Sequence, residues 1–454
     1  MSLIAELTAA LSVGAVVVEA AGLEAARSDA SGTGAHLPIA VLRPRDVDEV
    51  STALRICSRY GQGVVPQGGM TGLAGGGNPG PGDIALSLAR LDQIEAIDAQ
   101  AGCMTLGAGV ILQTAQEAAE WAGFLFPVDL GARGSARIGG MIATNAGGVR
   151  VIRHGMMREN LLGIEAVLAD GTVISHLNTS AKDNTGYALT QLIAGSEGSL
   201  AVITRAVIRL RPLPHARLTA LCALARFDDV LALLALVRGG LPGLSAFEAM
   251  WQGYFALNQE AEGLRLFGQA PAFAVILESE SDGSDAAGFE ALLGVGLERG
   301  ILQDALIAQS DKEARAFWSV REGYHTERLM PGMLNLDISL PTGSMGDYAE
   351  AVRLGLKAEY PTARVEFFGH IGDGNLHIAL QPPDISGKDV HGVEKVAYDV
   401  LRRFGGSVSA EHGIGTLKRP WLHYSRSEAE IAAMRRIKAA LDPIGILNNG
   451  KVLP

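Results

Sequence analysis

Two histidines seven residues apart, His370 and His377, flank a Gly-Asp-Gly-Asn turn in the stretch FFGHIGDGNLHIAL. Such a turn can fold both imidazoles toward one point. Further on, SVSAEHGIGTLKRP places Glu411 beside His412 in another glycine-flanked segment. Two histidines and a carboxylate make a three-ligand site with open positions, the arrangement of catalytic rather than structural zinc. Manganese or cobalt suits the same nitrogen and oxygen donors. His412 is then available as a general base near neutral pH. In an extended segment, neighbouring side chains point to opposite sides, so Glu411 and His412 share one site only if the backbone bends. Asp373, inside the turn, reads either as a partner fixing a ligand tautomer or as a turn residue. The stretch FWSVREGYH adds Arg321, a cation suited to a carboxylate. A continuous helix would put Phe317 and His325 on its face at i−4 and i+4; Glu322 reads as a solvated helix charge.

These residues need a scaffold, and glycine-rich segments supply its first signals. PQGGMTGLAGGGNPGPG, residues 66 to 82, contains a literal G-x-G-x-x-G at Gly75, Gly77 and Gly80. A nicotinamide site requires a helix directly after those glycines. Pro79 and Pro81 interrupt that backbone, and the next regular segment looks like a strand. A P-loop is excluded by the missing Gly-Lys-Ser/Thr ending. A loop whose backbone N–H groups face a phosphate remains. Two more segments have the same character: FPVDLGARGSARIGGMIATNAGG, with Ser135, Thr144 and Asn145 as small polar side chains, and IAGSEGSLAVIT, with Gly195, Ser196 and Gly198. Three separated small-residue loops suggest a long ligand held along its length.

The 454 residues suggest two or three domains, and 48% hydrophobic residues with 19% charged is a globular composition. A net charge of −11 without a basic run argues against a nucleic-acid surface. Cys57, Cys103 and Cys222 lack any C-x-x-C spacing and read as buried thiols in a reducing compartment. With neither a basic signal-peptide start nor about 20 uninterrupted apolar residues, a cytoplasmic protein that is not integral to a membrane is expected. DVDEVSTALRICSRYG reads as a helix stopped by glycine, GVVPQGG and IALSLARL as strands, and LLGIEAVLADGTVISH as a hairpin around Asp170-Gly171. Pro212 and Pro214 mark the best boundary. After them helices alternate with strands in an α+β pattern, a helix opening at the Ser310/Glu313 capping box.

P-x-G-G-x-T-G-x-x-G-G, D-L-G-A-x-G-[ST]-x-x-I-G-G-x-x-A-T-N-A-G-G and G-S-E-G-[ST]-L together resemble the FAD-binding domain of the vanillyl-alcohol oxidase/PCMH superfamily, over about residues 36 to 454. FGHIGDGNLHI, GSVSAEHGIGTLKRPWL and LDPIGILNNGK are similar to its D-2-hydroxyglutarate dehydrogenase and D-lactate dehydrogenase (glycolate oxidase subunit-like) branch. The resemblance implies an α+β fold: a two-subdomain FAD-binding domain, residues 36–214, after an N-terminal segment, 1–35. A substrate and metal-binding cap domain, 215–425, and a C-terminal segment, 426–454, returning to the FAD domain complete it. It implies FAD contacts at Pro66, Gly68, Gly69, Met70, Thr71, Gly72, Leu73, Leu130, Gly131, Gly134, Ser135, Gly139, Gly140, Ala143, Thr144, Asn145, Gly147, Gly148, Gly198, Ile203 and Asn448. Non-covalent FAD is expected, since neither residues 66–82 nor 126–148 contain a histidine.

By the same resemblance His370, His377 and Glu411 hold the metal, His412 is the base, and Arg321 contacts the substrate carboxylate. The implied reaction oxidises a D-2-hydroxy acid to the 2-oxo acid by hydride transfer to flavin N5, the metal lowering the hydroxyl pKa. Glutarate-type members carry a lysine where this chain has Asn335, an asparagine where it has Ala379, and a small hydroxyl residue where it has His325. Loss of a cation and a polar group weakens the case for a second substrate carboxylate. An electron-transfer flavoprotein or a quinone is the expected acceptor, and a homodimer is possible. A zinc hydrolase would use the same His2Glu set but leaves the glycine loops unexplained; a non-catalytic flavin-binding protein is the other alternative.

Overall fold

The computed structural model describes residues 2–283, 285–383 and 390–454. The chain forms two compact units. One comprises Met1–Gly148, Gly155–Leu213 and Glu411–Pro454; the other comprises Val149–His154 and Pro214–Ala410.

The first unit carries two larger sheets and a two-stranded one, Phe124–Leu125 with Arg211–Pro212. Val16–Val17, Val41–Leu42, Ile84–Ser87 and Val64–Gln67 form a four-stranded sheet in that order, and its last three strands are parallel. Ile94–Asp98, Cys103–Gly107, Val202–Arg209, Leu161–Val167 and Val173–His176 form an antiparallel five-stranded sheet. Local sequence accounts for the connecting elements. Helix Val47–Tyr60 starts where the Asp46 carboxylate accepts from Glu49 N–H and stops at Gly61 in the left-handed region, a cap worth about 1 kcal/mol. The hairpin turns at Asp170-Gly171 as its sequence dictates. Pro79 and Pro81 lead into the strand Ile84–Ser87 rather than a helix, so the dinucleotide fingerprint fails on its context. Cys57, Cys103 and Cys222 are buried and free.

The second unit is one antiparallel seven-stranded sheet. Its order is Asp304–Ile307, Ala216–Leu224, Phe273–Ser281, Leu244–Trp251, Arg364–His370, Asn375–Gln381, Leu334–Ser339. One face packs Leu221, Met250, Ala274 and Ile276 against Tyr254 and Phe255 of helix Gln252–Ala261 and Phe317 and Val320 of helix Asp311–Glu322.

The structure shifts three expected boundaries. The second unit ends at Ala410 and not at 425: Ala410 N–H still donates to Asp337 of its sheet, whereas Glu411 accepts from Gly148 N–H of the first unit. Residues 1–35 are not a separate segment, because Leu7, Leu11 and Ala15 enter the first unit's core and Ala30 N–H bonds the Met70 carbonyl. Residues 149–154 lie in the second unit, where Arg150 pairs with Glu278 at 3.1 Å and Arg153 with Glu280 at 2.7 Å. Those carboxylates lie far away in sequence, so local patterning could not show it.

Candidate functional site

In the first unit the three small-residue loops converge. Glu197 N–H donates to the Ala143 carbonyl at 2.8 Å and Gly195 N–H to that of Ile142 at 2.9 Å. Gly69 lies so close to residues 135–136 that a Cβ built on it would sit 2.0 Å from the Ser135 carbonyl oxygen. Asn448 ties the C-terminal segment in: its Nδ2 donates to the Glu197 carbonyl at 2.7 Å and that of Gly76 at 3.2 Å. Met70, Asn145, Glu197 and Asn448 all have positive φ. Non-glycine residues held there store strain that surrounding structure must fix, and such strain gathers at functional sites. The arrangement is a cradle of close-set backbone, fit for a pyrophosphate.

Some expected contributors serve the cradle instead of facing out of it. Thr144 Oγ1 donates to the Gly140 carbonyl, Asn145 Oδ1 accepts from Arg158 N–H, and Ser135 Oγ reaches the Ala132 carbonyl at 3.4 Å. Ile138–Thr144 is a short helix within the expected loop, since Ile138, Met141 and Ile142 bury at helical spacing. Pro66 closes against Gly198 and Leu130 against Gly148. Ile203 is buried in its strand and Leu73 is exposed. Glu197 itself went unassigned in the sequence. Burial pushes its carboxyl up, while N–H groups of Ile414 and Gly415 and the charges of Lys418 and Lys451 oppose that rise. Lys451 donates to Asn448 Oδ1 at 2.8 Å, and burial lowers its pKa to about 8.

In the second unit, His370 ends one strand and His377 lies on the next, joined by the expected turn. Both are buried, with ring centroids 5.0 Å apart and planes at 78°. Two imidazoles sharing a tetrahedral cation through ~2.0–2.1 Å bonds would have centroids roughly 5 Å apart, so the pair fits such an ion. His370 Nδ1 meets the Glu248 carboxylate at 2.7 Å, a contact of the kind that fixes the tautomer of a metal-ligating histidine. Asp337 Oδ1 lies 3.8 Å from His377 Nδ1 and accepts from Asn375 Nδ2 at 2.8 Å. Asp373 is exposed in the turn, whose N–H groups return to the His370 carbonyl. Glu411 and His412, both half-buried, begin the last segment of the first unit, directly after Ala410.

Arg321 is buried, and it is paired. Its Nε donates to Glu248 Oε2 at 2.8 Å and its guanidinium lies 4.8 Å over the Phe368 ring. Nη2 lies 2.6 Å from the same oxygen, so guanidinium and carboxylate form a buried ion pair. His325 departs from expectation. The helix stops at Gly323 in the left-handed region, and His325 turns to Glu262 at 3.5 Å instead of sharing the Arg321 face. Asn335 and Ala379 are direct cross-strand partners, the first exposed and the second buried. Glu366 continues the row beyond Ala379, and burial pushes its carboxyl up. Glu248 and Asp337 are the residues that sequence reasoning missed. Their available signal was a lone acid within an apolar strand, LSAFEAMW and LNLDIS.

The family model described as "FAD linked oxidases, C-terminal domain" matches residues 213–452, and that described as "FAD binding domain" matches 38–176. The chain belongs to this vanillyl-alcohol oxidase/PCMH superfamily of FAD-linked oxidases, and it is an FAD-dependent oxidoreductase. Its branch is that of the D-2-hydroxyglutarate and D-lactate dehydrogenases. It is 38% identical over 419 residues to the mitochondrial D-2-hydroxyglutarate dehydrogenase of Bos taurus, covering 91% of this chain and 76% of the relative. The D-2-hydroxyglutarate dehydrogenase of Xanthomonas citri pv. viticola is 37% identical over 427 residues, covering 91% and 89%. The fold matches that of 4-ethylphenol oxidase from Gulosibacter chungangensis in its isoeugenol complex, with a TM-score of 0.77 at 18% identity over 100% of this chain and 97% of the other. This membership disfavours the hydrolase and non-catalytic alternatives. Among the described residues no helix is long and apolar enough to cross a membrane.

Proposed function

We propose that the protein oxidises a D-2-hydroxy acid to the 2-oxo acid, with FAD as hydride acceptor and a divalent cation, zinc or manganese, held by His370, His377 and Glu411. One observation carries the proposal: two buried imidazoles with centroids 5.0 Å apart stand beside a buried arginine held by Glu248, in a chain of the FAD-linked oxidases. When bound, FAD would supply the acceptor for the Cα hydride and the cation would lower the pKa of the substrate hydroxyl.

The chain's own residues do the rest. Arg321 receives the substrate carboxylate, setting which face of Cα is presented. His412 takes the hydroxyl proton. The backbone around Gly68–Gly72, Gly131–Ser135, Gly139–Gly148 and Gly198, with Ile203 and Asn448, holds FAD without a covalent bond. The row Glu366, Ala379, Asn335 contains a carboxylate and no cation, which favours a substrate whose distal end is short or uncharged over a second carboxylate. Three buried free thiols suit a reducing compartment such as the cytoplasm. An electron-transfer flavoprotein or a quinone as acceptor, and a homodimer, complete the proposal.

The test is anaerobic single-turnover mixing with a panel of D- and L-2-hydroxy acids, followed by flavin bleaching near ~450 nm. D-enantiomers with short or neutral tails should bleach fastest. If no 2-hydroxy acid reduces protein loaded with FAD and metal, the proposal is wrong.

A further inference from the structure

Glu248 touches both groups through which the proposed site acts. We propose that it is the positioning residue that couples them, presenting His370 to the cation and Arg321 to the substrate carboxylate through one side chain; this rests on the metal-assisted function proposed above.

Glu248 stands within the strand Leu244–Trp251, every residue of which is buried. A carboxylate there is costly unless it is paired. Burial alone would push its carboxyl up, yet the Arg321 charge and the hydrogen bonds from His370 and Arg321 oppose that rise. The two oxygens divide the work. Oε1 meets His370 Nδ1 at 2.7 Å and Oε2 accepts from Arg321 Nε at 2.8 Å. Glu248 and His370 are direct cross-strand partners, so sheet register, and not a flexible reach, sets the first contact. A carboxylate on Nδ1 selects the tautomer whose Nε2 lone pair faces the cation and raises that nitrogen's basicity. The second contact, to which Nη2 adds an approach of 2.6 Å, holds the arginine fork in one orientation. Glutamine could satisfy only one of the two donors, because its amide nitrogen would confront the other.

The test measures zinc affinity by competition with a chromophoric chelator, on FAD-loaded full-length protein whose flavin spectrum is unchanged. Glu248→Gln should weaken zinc binding about 10- to 100-fold and raise KM for the hydroxy acid. The double variant Glu248→Gln/Arg321→Met separates positioning from mere neutralisation of a buried cation. If Glu248 only neutralises Arg321, removing both charges restores wild-type zinc affinity; if it positions His370, affinity stays weak. Should Glu248→Gln not accumulate as folded flavoprotein, Glu248→Asp keeps the charge with a shorter reach and should show a smaller loss. Zinc affinity of the Gln variant within about threefold of wild type, or its recovery in the double variant, overturns the proposal alone. A wild-type protein that binds neither zinc nor manganese overturns the metal-assisted function and the proposal with it.

Discussion

Gly69→Ala offers a sharp test of the cofactor cradle, because its neighbour Gly68 is an internal control. A Cβ on Gly69 would stand 2.0 Å from the Ser135 carbonyl oxygen, 2.9 Å from its carbon and 3.0 Å from Ala136 Cα. All three are backbone atoms, so no side chain can swing away. Restoring ordinary contact requires the two loops to separate by about 1 Å, and overpacking of this kind costs about 1–3 kcal/mol. A shift of that size also breaks hydrogen bonds from backbone N–H groups to a charged phosphate, each worth about 1.5–3 kcal/mol. One lost bond weakens FAD binding roughly 10- to 150-fold. On Gly68 the nearest atom to a new Cβ is Gly140 Cα at 3.3 Å, which needs only a small adjustment. Gly239, on the helix Phe227–Gly240, has nothing within 4 Å. Alanine there should leave FAD binding alone and stabilise by about 0.5–1 kcal/mol. The assay is the flavin-to-protein absorbance ratio after purification, then FAD titration of apoprotein, with circular dichroism to confirm folding. Folded Gly69→Ala that binds FAD as tightly as wild type, or a larger loss in Gly68→Ala, would refute the assignment of this close approach to the cofactor.

His412→Ala should retain FAD yet lose about 10²–10⁴-fold in its rate of reduction by substrate; near-normal reduction in stopped flow would remove His412 from the base role. Verified metal removal should have the same selective effect, with activity returning on adding zinc or manganese, and unchanged turnover would exclude the cation. His325→Ala should change kcat/KM by less than about threefold, because His325 lies past the helix stop and faces Glu262. Lys451 titrates near 8 in the fold against an ordinary 10.5, so the unfolded chain binds more protons between those values. Stability relative to Lys451→Met should therefore rise by about 3 kcal/mol from pH 8 to 10.5 and stay flat below pH 8. Urea unfolding of both proteins across that range checks the sign.

What the sequence determined by itself has local causes. The cap at Asp46, the stop at Gly61, the Asp170-Gly171 turn and the prolines that exclude a dinucleotide helix depend on residues a few positions apart. The same holds for the turn between His370 and His377. The stop at Gly323 was legible too, and reading the helix through it misplaced His325. The Ser310/Glu313 box was half right: Ser310 caps Glu313 N–H, while the Glu313 carboxylate reaches Gln309 N–H.

Only tertiary structure decided that Glu248 sits opposite His370 and within reach of Arg321, that Asp337 sits by His377, and that residues 149–154 belong with the second sheet. Strand periodicity says which side chains share a face; it does not say which strand lies alongside which. The order that places Leu244–Trp251 next to Arg364–His370 comes from packing the whole chain. The glycine loops lie between these cases. Their composition announced close backbone approaches, but which loop meets which, and that Thr144 and Asn145 turn back onto their own backbone, required the folded chain.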